Sequence, residues 1–213
     1  MNYSQNEINF LCRLLGYGKL VGFDEFGMLS QEESEEVIQS LEEKKIIEDG
    51  QFTEKGLALE QFLQFYINST KYIHLGHCLL GNYQDNQYIM IKEKDNEIEV
   101  LPVTQDEVVF SILAQFVDEL ESIEEGRLRN RMMSKRRFQK YMEEHKDAKA
   151  IYYTYVDMET HQQKVAVIYY ADHKLQHYNV LKEELTSYSK EYVQQGIESI
   201  FRWEADEICQ KLN

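Results

Sequence analysis

The chain has 213 residues, 43% of them hydrophobic and 12% aromatic, which is enough apolar material to bury one substantial core. Charged residues make up 29%, yet the apolar ones fall in periodic groups, and this excludes a disordered chain. A formal net charge of −15 repels nucleic acid and anionic lipid wherever positive charge is not concentrated, and no apolar run approaches the ~18 residues of a membrane span.

The first 67 residues read as helices. Ser4 with Glu7, and Ser30 with Glu33, have the capping-box spacing, in which hydroxyl and carboxylate each satisfy an orphan backbone N–H at a helix start. Ile8, Leu11, Leu14 and Leu15 follow the first start, and Val37, Ile38 and Leu41 the second, as apolar stripes. The stretch 40–66 reads as a helix end, a turn at Asp49–Gly50 and a new helix carrying Leu57, Phe62, Phe65 and Tyr66, a layout similar to the end of a winged-helix unit.

From about Lys71 the period changes. Residues 72–80, 87–92 and 97–101 are short β-type runs separated by turn-rich clusters, a meander of three strands closed by Pro102, the only proline. Thr104 with Glu107 is a third capping box, before Val109, Ile112, Leu113, Phe116, Val117 and Leu120 at helical spacing. Residues 124–146 read as a helix, 151–157, 164–170 and 174–180 as a second meander, and 182–212 as a long last helix bearing Leu185, Tyr188, Tyr192, Ile200, Phe201 and Ile208. The organisation expected is a helical region over 1–67, a first meander plus helix over 68–123, and helix, second meander and C-terminal helix over 124–213, forming one compact domain.

A shift of 77 residues places Ile91 on Ile168, Asp95 on Asp172, Ile98 on Leu175, Val103 on Val180 and Glu107 on Glu184, which reads as an internal duplication. The expected fold class is α+β: a central antiparallel sheet from two pseudo-twofold-related strand meanders, flanked by helical bundles. A three-stranded sheet covers its faces poorly alone, so joining the two is favourable.

Reactive motifs are missing. The chain contains no Gly-rich phosphate loop, G-x-S-x-G, H-E-x-x-H or C-x-x-C. His74 and His77, three apart on a strand-like run, would face opposite sides and could not share a metal, and His145, His161, His173 and His177 fall in or beside turns as solvated polar residues. Cys12, Cys78 and Cys209 are odd in number and far apart, as buried or half-buried thiols of a reducing compartment are, and the cytoplasm is the expected location. No enzymatic activity, cofactor or metal is expected.

Arg127, Arg129, Arg131, Lys135, Arg136 and Arg137 place six positive charges within eleven residues of an acidic chain. Nucleic-acid binding is weakened as an explanation because the helix before the wing-like turn, SQEESEEVIQSLEEKK, is acidic where recognition needs Arg or Lys. Pairing of the cluster with nearby Glu, at i,i+4 or across the duplicated halves, is the ordinary reading, and a protein contact the second.

The order of elements, with LCRLLG near the start and the run EIEVLPVTQDEVVFSIL, resembles the EspG-type chaperones of type VII (ESX) secretion. The closest similarity is Val100, Leu101, Pro102 and Val103, leading through Asp106 to the apolar helix from Val108. Abundant Lys, Ile, Asn and Tyr point to a low-GC Gram-positive relative. The resemblance implies a cytosolic chaperone that binds the helical tip of a secretion effector and keeps it soluble and secretion-competent, its partner being a secreted effector or other helical-hairpin protein. It also implies a contact through Asn82, Tyr83 and Gln84, together with C-terminal helices where Phe201 and Trp203 are candidates. The alternative is a winged-helix DNA-binding regulator with a β-rich sensing portion, and an enzyme with an unremarkable site is a third reading.

Overall fold

The computed structural model describes residues 2–23, 27–146 and 148–202. The fold is mixed α+β, with a ten-stranded antiparallel sheet and a separate two-stranded hairpin. The chain divides into two compact units, one of residues 1–72 and 77–103, the other of residues 73–76 and 104–213.

The first unit begins with β1 (Asn2–Tyr3) and α1 (Gln5–Leu14), then α2 (Gln31–Glu43), the hairpin β2 (Ile47–Glu48) and β3 (Gln51–Phe52), and α3 (Glu54–Ile67). Both N-terminal capping boxes form, with Ser4 Oγ accepting from the Glu7 N–H and Ser30 Oγ from the Glu33 N–H. Asp49 and Gly50 both have positive φ, 51° and 74°, the pair a type I′ hairpin turn requires. The meander follows as β4 (Lys71–Leu75), β5 (Cys78–Gln84), β6 (Gln87–Lys94) and β7 (Glu97–Thr104). Helix α3 buries Leu59, Leu63 and Tyr66, spaced four and three apart, and Ile89, Ile91, Ile98 and Val100 of β6 and β7 join the same core. Tyr66 donates its hydroxyl to the Val21 carbonyl at 2.8 Å, so the largest fully buried side chain in that core has its polar end satisfied.

The second unit holds α4 (Gln105–Gln115), α5 (Val117–Leu120), β8 (Arg129–Met132), α6 (Lys135–Glu144), β9 (Ala150–Asp157), β10 (Gln162–Ala171), β11 (Lys174–Asn179), β12 (Glu184–Tyr188) and α7 (Val193–Glu198). In hydrogen-bonded order the strands of the first unit run β1-β7-β6-β5, and those of the second β9-β10-β11-β12-β8. β10 is buried on both faces. Val167, Tyr169 and Ala171 pack under α6 with Tyr178 and Leu185, whereas Ala166 and Ile168 turn to the opposite face with their cross-strand partners Tyr153 and His177. The ring of Phe138 on α6 stacks on Tyr178 at 3.9 Å between centroids.

Several elements differ from the sequence expectation. The run 72–80 is broken at Gly76, whose φ of 59° turns the chain, so the first meander has four strands. The segment 124–146 is not one helix but strand β8 followed by α6, capped by Ser134. The long helix from 182 is replaced by strand β12, the short α7 and a 3-10 turn on either side of it; residues 203–213 of that expected helix lie outside the described residues. Leu185 and Tyr188 fit either period, and the open edge of β11 decides for a strand because pairing satisfies a row of backbone groups at once. Under the 77-residue shift, β6, its turn and β7 fall on β10, its turn and β11. Asp95–Asn96 and Asp172–His173, the matched turns, both have φ between 52° and 64° at each central residue, and the match then fails where the segment that forms α4 falls on β12.

Candidate partner-binding surfaces

The end of β5 is preorganised. A register shift between Asn82 and Gln84 bulges the strand, and Asn82 Nδ2 donates to the carbonyls of Gln84 at 2.6 Å and Gln87 at 3.2 Å, pinning the bulge across the β5–β6 turn. Tyr83 stacks on Phe65 at 4.8 Å, donates its hydroxyl to Gln87 Oε1 at 2.7 Å and is half-buried. Gln84 is exposed. The three residues expected at a contact are therefore together on one rigid feature. Phe201 belongs to the second unit and is buried, at 9% exposure, so its role there is packing. Trp203 lies outside the described residues.

The second unit carries two surfaces that the sequence expectation omitted. Helix α6 covers only part of its sheet face. Tyr152 on β9 is 60% exposed although its cross-strand neighbour Val167 is buried, and a groove of about 1040 Å³ opens beside it, lined by Thr154, Val165, Gln139 and Met142 among others. On α4, Phe110 is 73% exposed, Ala114 is exposed and Val117 beyond it is 58% exposed, an apolar stripe at helical spacing on the side opposite buried Val109, Ile112 and Phe116. A sequence signal for the stripe exists: Phe110 is a large apolar residue off the phase of the buried face.

The polar interior is structural. His177 was expected at a solvated turn, but it lies within β11 and is fully buried, 2.7 Å from the Tyr153 hydroxyl through Nε2. Burial, and then the nearby Lys164 ammonium, hold its imidazole well below the ordinary value of 6.5, so it is neutral. Lys164 donates to the Ser199 carbonyl at 2.9 Å and lies over the Tyr153 ring. Burial pushes the Cys12 thiol up to about 12 and raises that of Cys78 as well, which makes both poor nucleophiles; Cys209 lies outside the described residues. Among the described residues no three His, Cys, Asp or Glu side chains converge as a metal site, and every buried side-chain polar atom has a hydrogen-bond partner. No helix among them is long and apolar enough to cross a membrane.

The basic cluster is divided among the loop before β8, which holds Arg127, β8 itself and the first turn of α6, and none of its six side chains forms an ion pair within 4.0 Å among the described residues. The expected i,i+4 pairing does not form, because 127–131 is not helical and Glu124 is taken by Lys174 at 3.4 Å.

The chain is similar in structure to the Mycobacterium tuberculosis type VII secretion system chaperone EspG5, which was solved in complex with the PE25–PPE41 dimer. The TM-score is 0.60 over 94% of this chain and 95% of that one, at 10% sequence identity, a likeness of fold that agrees with the resemblance read from the strand-to-helix run at Pro102. No curated protein matches the chain. Residues 1–203 match the family described as "Domain of unknown function (DUF5081)", and the chain belongs to that family.

Proposed function

We propose that the chain is a cytoplasmic, non-enzymatic chaperone that holds the apolar helical tip of a type VII secretion effector. The observation that carries this reading is the likeness of fold, end to end, to a chaperone solved with an effector dimer. The α4 stripe supports it, since exposed apolar side chains at helical spacing gain by covering another apolar helix, and such a cover would protect the effector from aggregation. Asn82, Tyr83 and Gln84 form a second proposed contact, in which the rigid bulge offers a half-covered aromatic ring and an exposed amide. The inert thiols and the neutral His177, buried and bonded to the Tyr153 hydroxyl, favour binding over catalysis.

The test is co-expression with helical-hairpin secretion substrates from the same genome, followed by light scattering of the purified complex. A 1:1 complex is expected. Phe110→Asp, on an exposed position, should weaken it at least tenfold while leaving the circular dichroism spectrum unchanged, and Tyr83→Ala should weaken it less. Recovery of nucleic acid in place of a helical protein would overturn the reading in favour of the DNA-binding alternative.

A further inference from the structure

β8 is the last strand of the sheet, four residues long, and all four are exposed. The Met133 N–H donates to the Glu183 carbonyl at 2.8 Å, which fixes which residues face β12. In an antiparallel ladder hydrogen-bonded pairs alternate, so Arg131 and Arg129 also direct their backbone groups to β12, whereas Asn130 and Met132 direct theirs outward. Arg131 is paired with buried Leu185, and Arg129 with Ser187, so both arginine side chains rise from the face that carries α6.

That helix begins with Lys135, Arg136 and Arg137, three cations in the first turn and no acidic residue there. This placement opposes the helix dipole, which favours anions at the N-terminus, so the charges do not serve the stability of α6. A single inward charge would be enough to stop self-pairing of an edge strand. Here a free edge lies beside six cations that have no ion-pair partner among the described residues.

We infer that β8 is a docking edge for an acidic, extended segment of a protein partner, which adds as a strand to Asn130 and Met132 while its carboxylates meet Arg129, Arg131 and the first turn of α6. The edge spans about 14 Å at ~3.4 Å per residue, which suits a segment of four to six residues. Charge complementarity alone would also admit nucleic acid. The size of the patch argues for the peptide: without these six cations the chain is more acidic still than its formal −15, so a polyanion continuing past the patch meets net repulsion, and screening acts only over about 8 Å at physiological salt. The inference stands whether or not the partner is a secretion effector.

The experiment uses the full chain and a fluorescein-labelled alternating glutamate–valine hexapeptide, read by fluorescence anisotropy. Saturable binding is expected, weakening at least tenfold in the Arg129→Glu/Arg131→Glu double variant. Two N-methylated peptides, each blocked on one alternate set of amides, separate strand addition from simple charge attraction: one of the two should lose at least tenfold. Met132→Pro removes an outward N–H without breaking the β12 ladder and should lose binding similarly. This variant and the modified peptides decide the matter even if the charge reversal fails to fold. Equal binding of both methylated peptides and the parent, no binding of the hexapeptide, or tighter binding of a single-stranded oligonucleotide of matched charge would each overturn the inference.

Discussion

Glu7 performs two tasks with one carboxylate. It closes the capping box of α1 by accepting from the Ser4 N–H at 2.5 Å, and it accepts from Ser40 at 2.8 Å and from the Lys44 ammonium at 2.7 Å, tying α1 to α2. Burial alone would raise its pKa, but the bonds from Lys44, Ser4 and Ser40 together outweigh it and hold the carboxyl below the usual value of 4.5. Glu7→Ala leaves Lys44 with no partner at this site and should cost about 3 kcal/mol in chemical denaturation. The same shift ties stability to pH. The unfolded chain takes up the Glu7 proton before the folded one does, so the contribution is present at neutral pH and is lost as pH falls through and below about 4.5. His177 acts earlier on the acid side: the unfolded imidazole binds a proton below about 6.5, and the buried one does not. Stability should therefore start to fall between pH 6.5 and 5. The His177→Gln variant, which keeps an acceptor for Tyr153, should show a flatter slope in that window when urea midpoints are compared at each pH.

At the scale of elements, the hairpin β2–β3 is held to α3 by close backbone contact. The Ile46 carbonyl accepts from the Thr53 N–H at 3.0 Å, and a Cβ added at Gly56 would come within 2.1 Å of that same oxygen. Alanine is the better helix former by about 1 kcal/mol, yet Gly56→Ala should destabilise by about 2 kcal/mol, because the oxygen belongs to backbone and cannot turn aside. A lowered midpoint in thermal denaturation would check it. The elements that sequence periodicity located well are those with local signatures. Three capping boxes and the Asp49–Gly50 turn are formed by residues within four positions of one another, so they are legible without knowledge of the fold. β8 was read as helix although Arg127, Arg129 and Arg131 repeat with a period of two, a strand signal masked by the surrounding charge.

For the whole molecule, charge is the quantity that a partner meets first. A formal net charge of −15 means that self-repulsion opposes compaction at low ionic strength, so the midpoint of thermal unfolding should rise as sodium chloride is raised from 10 to about 150 mM. Binding of an acidic segment at β8 should fall over the same range. The two trends run in opposite directions from one charge distribution, and differential scanning fluorimetry beside anisotropy would read both.

The amino-acid sequence by itself determined the class of the fold, the helix starts, the hairpin turns and the poverty of reactive motifs, because each is carried by neighbouring residues or by composition. It also offered, in the run at Pro102, a resemblance to a secretion-chaperone family, and the fold is similar to that of one such chaperone. Only the tertiary structure decided that 184–188 is a strand, that His177 is buried, that Phe110 is left uncovered and that the basic cluster borders a free edge. Those outcomes depend on which surface each segment meets: an amphipathic stretch such as that around Leu185 satisfies either period until a neighbouring strand offers unpaired backbone groups, and exposure is set by what packs above a residue, not by the residue.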